Sequence, residues 1–172
     1  MIDGEVAYMA TDTVRGVSFK IPQATLNATS DLLWQVLKCI DVEKYCWYSI
    51  QDQNEAWANF LEGTYAFEED CYDGKSFLQE ITSEHYIIFL KLQAYFEDGG
   101  FSEVHTYEDF QSSDCQLLFL IYDCGFIDIY AKDETVIRAI YENAASNGYT
   151  EIRYITEGND WRTGVGMGAR HY

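Results

Sequence analysis

The chain is poor in positive charge. It has 11 Lys+Arg against 29 Asp+Glu, a formal net charge of −18 over 172 residues. A grip on phosphate backbone needs clustered Lys and Arg, so direct nucleic-acid binding is not expected. Proline occurs once and histidine three times. No stretch approaches the roughly 18 consecutive apolar residues of a spanning helix, so no membrane partner is expected. Met1–Ala10 contains Asp3 and Glu5 and lacks the basic start and apolar core of a secretory leader. What the chain does have is apolar mass: 48% hydrophobic and 16% aromatic residues. That content can offset the entropy of ordering, and the length suits one domain.

The five cysteines (Cys39, Cys46, Cys71, Cys115 and Cys124) form no C-x-x-C pair. His85, His105 and His171 lie far apart. A structural zinc site needs closely spaced ligands, so no metal is expected. Reduced, mostly buried thiols in a cytoplasmic protein are the simplest reading.

Hydrophobic periodicity outlines the elements. Arg15–Ile21 alternates as a half-buried strand that Pro22 ends. Ser30-Asp31 caps a helical pattern with apolar positions 33, 36, 37 and 40. Cys46–Ile50 reads as a strand, Glu55–Leu61 as one or two helical turns, and Gly63–Phe67 as a short strand. Asp73-Gly74 opens a turn before a brief helical pattern at Lys75–Ile81. His85–Phe96 is the longest strand candidate, and Thr106–Gln111 is a short capped helix. Gln116–Tyr122 and Phe126–Ala131 flank Asp123-Cys124-Gly125 as a hairpin. Asp133 caps a helix that runs to Asn147-Gly148, and Thr150–Ile155 is a last strand. This order predicts an α+β fold: a mostly antiparallel sheet with helices on one face, in a single domain. The domain is expected to span residues 15–157. Residues 1–14 then form an N-terminal extension and 158–172 a Gly-rich flexible tail.

Two motif-like strings fail on chemistry. Glu69-x-Cys71-x-Asp73-Gly74 followed by Glu80 partly matches a calcium loop, but Cys71 offers sulfur where calcium requires oxygen. Gly164-x-Gly166-x-x-Ala169 has dinucleotide-fingerprint lettering, yet no helix-length segment follows to hold pyrophosphate. No cofactor is expected. No G-x-S-x-G, P-loop or H-E-x-x-H string occurs, and the acids around Cys71 would raise a thiol pKa rather than activate it. No catalytic residue is expected.

The acidity is regional. Residues 41–114 hold 17 acids and 3 bases, a net of −14. Aromatics lie among the acidic clusters, and aromatic residues dominate binding hot spots while a negative field speeds capture of a basic partner. The candidate partner-binding residues are Glu68, Glu69, Asp70, Asp73, Trp57, Tyr72, Glu97, Asp98, Glu108 and Asp109.

Several segments carry a resemblance. They are Arg15-Gly16-Val17-Ser18-Phe19-Lys20-Ile21-Pro22, Tyr107-Glu108-Asp109-Phe110, Ser113-Asp114-Cys115, Asn147-Gly148, Tyr154-Ile155-Thr156 and Asn159-Asp160-x-Arg162-Thr163. Together they resemble a family of small bacterial proteins catalogued only as a domain of unknown function. The resemblance runs from about Arg15 to Thr163. It implies no activity, cofactor or catalytic residue.

The leading expectation is a non-enzymatic binding module, immunity- or inhibitor-like, that masks a basic protein. The alternatives are an accessory domain with a small-molecule pocket, lined by residues such as Trp34, Trp47 and Tyr130, and an enzyme of unrecognised type.

Overall fold

The structure is a computed structural model and describes residues 13–160, 162, 164 and 165. Nine strands form one sheet: β1 (Val14–Lys20), β2 (Cys46–Ser49), β3 (Glu55–Asn59), β4 (Thr64–Tyr65), β5 (Cys71–Tyr72), β6 (Tyr86–Tyr95), β7 (Cys115–Tyr122), β8 (Phe126–Ala131) and β9 (Thr150–Thr156). The main path is β4-β3-β6-β7-β8-β1-β9, and β2 with β5 branches from β6. Every pairing is antiparallel. β6 is long enough to serve two neighbours along one edge. Its Tyr86–Phe89 half pairs with β3 and its Leu92–Tyr95 half with β2, while β7 takes the other edge.

Five helices complete the fold: α1 (Gln23–Ala28), α2 (Leu32–Leu37), α3 (Gly74–Thr82), α4 (Tyr107–Ser112) and α5 (Glu134–Ser146). The starts of α3, α4 and α5 follow capping chemistry, whereas Asp31 before α2 makes no side-chain cap bond. Ser76 N–H donates to Asp73 Oδ1 at 2.8 Å, and Thr135 N–H donates to Asp133 Oδ1 at 2.8 Å. Thr106 and Asp109 form a capping box for α4.

Strand alternation sends side chains to two faces. Leu117, Phe119 and Ile121 of β7 join a large core with Leu33 and Val36 of α2, Phe77 and Ile81 of α3, and Ile137 and Ile140 of α5. Leu118 and Leu120 point the other way, into a smaller core with Phe110 of α4, Val104, Tyr130, Ile155 and Val165. The three well-buried helices therefore share one face, and α4 with its preceding loop covers part of the other.

Buried polar groups hold that loop. The Lys91 ammonium donates to Val104 O. Gln93 accepts from Val104 N–H at 2.9 Å, and its amide donates to Ser102 O at 2.9 Å. Burial lowers the Lys91 pKa from its ordinary range, with Glu103 and Asp52 opposing the shift.

Three local expectations differ from the structure. Glu55–Asn59 is a strand rather than helical turns, because pairing with β6 and stacking of Trp57 on Tyr65 outweigh local propensity. α1 follows Pro22 without an apolar stripe that periodicity could detect, and none of its residues is buried. Finally, 158–165 is not a loose tail at its described positions. Val165 is buried and donates its N–H to His105 O at 2.9 Å. Asn159 bonds back to Thr156 N–H at 2.8 Å and Tyr154 O at 3.0 Å. Of the expected extension 1–14, residues 1–12 lie outside the described residues and Val14 already belongs to β1, and most of the Gly164–Ala169 string also lies outside them.

Candidate functional site

The β3–β4 hairpin ends in the turn Phe60-Leu61-Glu62-Gly63, with Gly63 at φ 72°. Turn tips usually carry Gly, Asn, Asp or Ser. Here Phe60 is 56% exposed and Leu61 95% exposed, beside Tyr65 at 54% and Tyr86 at 49%. The rings are ordered against one another. Trp57 stacks on Tyr65 at 4.4 Å between centroids, and Phe60 meets Trp57 at 5.4 Å and Tyr86 at 5.8 Å. A groove of about 570 Å3 opens beside them, lined by Asn59, Phe60, Leu61, Glu84, Tyr86 and Ile88 among others. The indole N–H of Trp57 has no acceptor among the described residues. Glu84 lines the groove, Glu55 acts electrostatically on Tyr86, and Glu62 follows Leu61.

The residues singled out in the sequence fall in several places. Trp57 belongs to this patch. Glu68, Glu69 and Asp70 are exposed on the loop into β5. Burial and then the charge of Glu68 push the Glu80 carboxyl up. Asp73 and Glu97 converge with Cys71 near Cys46, whose thiol is pushed up by burial first and by these groups second. Asp98 is exposed beside Glu97. Glu108 and Asp109 lie apart, on α4. Asp109 is occupied, accepting from His105 N–H and Thr106 N–H at 3.1 Å each. Tyr72 is a correction: it is buried against Phe67, and its hydroxyl accepts from Glu69 N–H at 3.0 Å, so it presents no surface.

The thiols also depart from expectation. Only Cys115 is buried, Cys71 is exposed, and the other three are intermediate. No cysteine is in a disulfide.

Sequence reading missed a second feature, on the sheet face opposite the large core. Arg162 donates to Asp128 Oδ2 at 2.5 Å, and both side chains are buried. Arg15 donates to Asp160 Oδ2 at 3.2 Å and lies 3.9 Å over the Tyr107 ring. Tyr130 OH donates to Asp160 Oδ1 at 3.1 Å. Burial, then the charges of Asp160 and Asp128, push the Tyr130 hydroxyl pKa far up. A cavity of about 830 Å3 adjoins this network, walled by Ser18, Phe126, Asp128, Tyr130, Ile155 and Arg162 among others. Of the three residues expected at a pocket, only Tyr130 reaches this cavity. Trp47 is in the large core, with its indole N–H donated to Val42 O at 2.9 Å, and Trp34 packs at that core's edge. An Asp in a run of apolar strand residues, Ile127-Asp128-Ile129, was the available signal for the buried pair.

Comparison with known proteins follows the same boundaries. Residues 14–165 match the model of the family described as Protein of unknown function (DUF2691). The chain belongs to the DUF2691 family. The match extends past Glu157 to Val165, the residue that packs into the smaller core. The chain is 32% identical over 153 residues to an uncharacterised protein, YncE, of Bacillus subtilis (strain 168), covering 88% of this chain and 97% of that one. No solved structure matches. Among the described residues, no helix is long and apolar enough to cross a membrane.

Proposed function

We propose that this DUF2691 protein is a non-enzymatic, cytoplasmic binding module that captures a basic protein at the β3–β4 hairpin tip. One observation carries the reading: Phe60 and Leu61 stand exposed on a turn, backed by ordered rings. Exposed apolar clusters of this kind mark interaction sites, and aromatic anchors supply most interface energy. The occupant's charge follows from the surroundings. Residues 55–86 hold eight acids and one lysine, and no Lys or Arg lines the groove. An apolar side chain flanked by Lys or Arg suits such a groove. Burying Leu61 or Phe60 under a partner is worth about 1.5–3 kcal/mol each. The acids at Asp73, Glu97 and Glu68–Asp70 extend the negative field that steers the approach.

Affinity capture from a bacterial lysate, with the intact chain and with the double variant Phe60→Ala/Leu61→Asp, tests this. A basic protein retained by the parent, lost with the variant and weakened by salt is expected. Equal retention by both chains sinks the proposal.

A further inference from the structure

The cavity on the opposite face has a charge pattern unlike the rest of the molecule. Cross-strand neighbours in an antiparallel sheet point to the same face. The register places Lys91, Leu120, Asp128, Ser18 and Arg153 in one rung across β6, β7, β8, β1 and β9. The next rung holds Tyr130, Gly16 and Ile155, and on the other side of the first lies Phe126 with Lys20. Five of the chain's eleven basic residues lie on this face: Arg15, Lys20, Arg153 and Arg162, with Lys91 buried against Val104 O. Two are neutralised, Arg162 by Asp128 and Arg15 by Asp160. Lys20 and Arg153 are exposed and make no ion pair among the described residues, and Glu151 is the one further acid in the lining. The mouth of the cavity is thus locally positive on a chain of −18.

Three independent features show a built cavity. Asp128, nine-tenths buried in its wall, keeps Oδ1 without a donor among the described residues. An unpaired buried carboxylate oxygen is costly. Next, β9 carries an extra residue between Arg153 and Thr150, opposite Ser18–Lys20, and Glu151 there takes φ 54°. A bulge with a strained non-glycine residue bends the strand, and such strain clusters at ligand sites. Last, the floor is apolar: Phe126, Ile152 and Ile155 lie among the charges.

We infer that the cavity between β8, β1 and β9 binds a small amphipathic organic anion that also carries an O–H or N–H donor. Its anionic group faces Lys20 and Arg153. Its apolar body lies on Phe126, Ile152 and Ile155. Its donor completes Asp128. This site is separate from the hairpin tip, and neither requires the other.

The test uses three probes of matched size on the full chain, followed by NMR shift perturbation at roughly millimolar concentration. They are 4-hydroxyphenylacetate (anion with donor), phenylacetate (anion without donor) and tyramine (cation with donor). Saturable shifts at Ser18, Phe126, Ile152 and Ile155 are expected with 4-hydroxyphenylacetate. Binding should be about tenfold weaker for phenylacetate and weaker still for tyramine. The surface variants Lys20→Ala and Arg153→Ala should each weaken 4-hydroxyphenylacetate several-fold, leaving its hydroxyl discrimination intact. Tyramine binding as well as the anions, or shifts from none of the probes at these residues, overturns the site. Phenylacetate binding as tightly as 4-hydroxyphenylacetate overturns the role given to Asp128.

Discussion

His85 is held from both sides of its ring. Leu33 N–H donates to Nε2 at 3.1 Å, so Nδ1 carries the proton and donates it to Ser83 O at 2.8 Å. Protonating Nε2 would set two donors face to face. Burial, the larger influence, lowers the pKa from 6.5, against the Ser83 carbonyl and Asp31. The unfolded chain therefore takes up a proton first as pH falls. The contribution is complete above about 6.5 and is lost as pH falls towards the lowered folded value. In urea titrations, His85→Gln should be the less stable protein at pH 7.5, with the gap narrowing by about 1 kcal/mol near pH 5.5. A gap independent of pH would remove His85 from the account. The thiols separate by environment as well. Burial pushes Cys39 and Cys115 up to about 11, so a thiol reagent at pH 8 should label exposed Cys71 first and Cys115 only on unfolding. The buried ion pair gives a third case. Arg162→Met should cost about 3–5 kcal/mol by leaving Asp128 uncompensated, and adding Asp128→Leu should recover most of it. Equal denaturation midpoints for the single and double variants would contradict that.

At the scale of elements, β1 is the tightest. A Cβ on Gly16 would lie 2.0 Å from Ile129 O on the neighbouring strand. Gly16→Ala must force β1 and β8 apart and should cost about 1–3 kcal/mol or more in thermal unfolding. A neutral result would mean that β1 yields easily. Elements with a strong period or a cap were legible in the sequence: β1, β6, the β7–β8 hairpin and α5 stand within a residue or two of their expected limits. β3 was not, because Glu55-Ala56-Trp57-Ala58 has good helix formers and its strand character comes from β6, whose paired residues lie 29 to 34 positions away. The described part of the closing segment was illegible for a related reason. Its glycines suggest freedom, while its anchors Asp160 and Arg162 find partners on β1 and β8, far back in the chain. Both candidate sites share this property. Acid clusters can be counted along a sequence, but exposure of Phe60 and convergence of Ser18, Asp128 and Arg153 depend on sheet order.

For the whole molecule, charge is unevenly distributed along the chain. Residues 41–114 carry a net −14, and the cavity face holds the exposed cations Lys20 and Arg153. Self-repulsion at −18 opposes compaction, so added salt should raise the thermal midpoint until screening is complete. The branching at β6 has a mechanical consequence. β6 acts as a rail from which two flaps hang on one side, β3–β4 on its first half and β2–β5 on its second. Each flap pairs with its own half of β6. Amides of the smaller, more exposed β3–β4 flap should exchange with solvent before those of β2, and a partner gripping Phe60 would latch that flap alone.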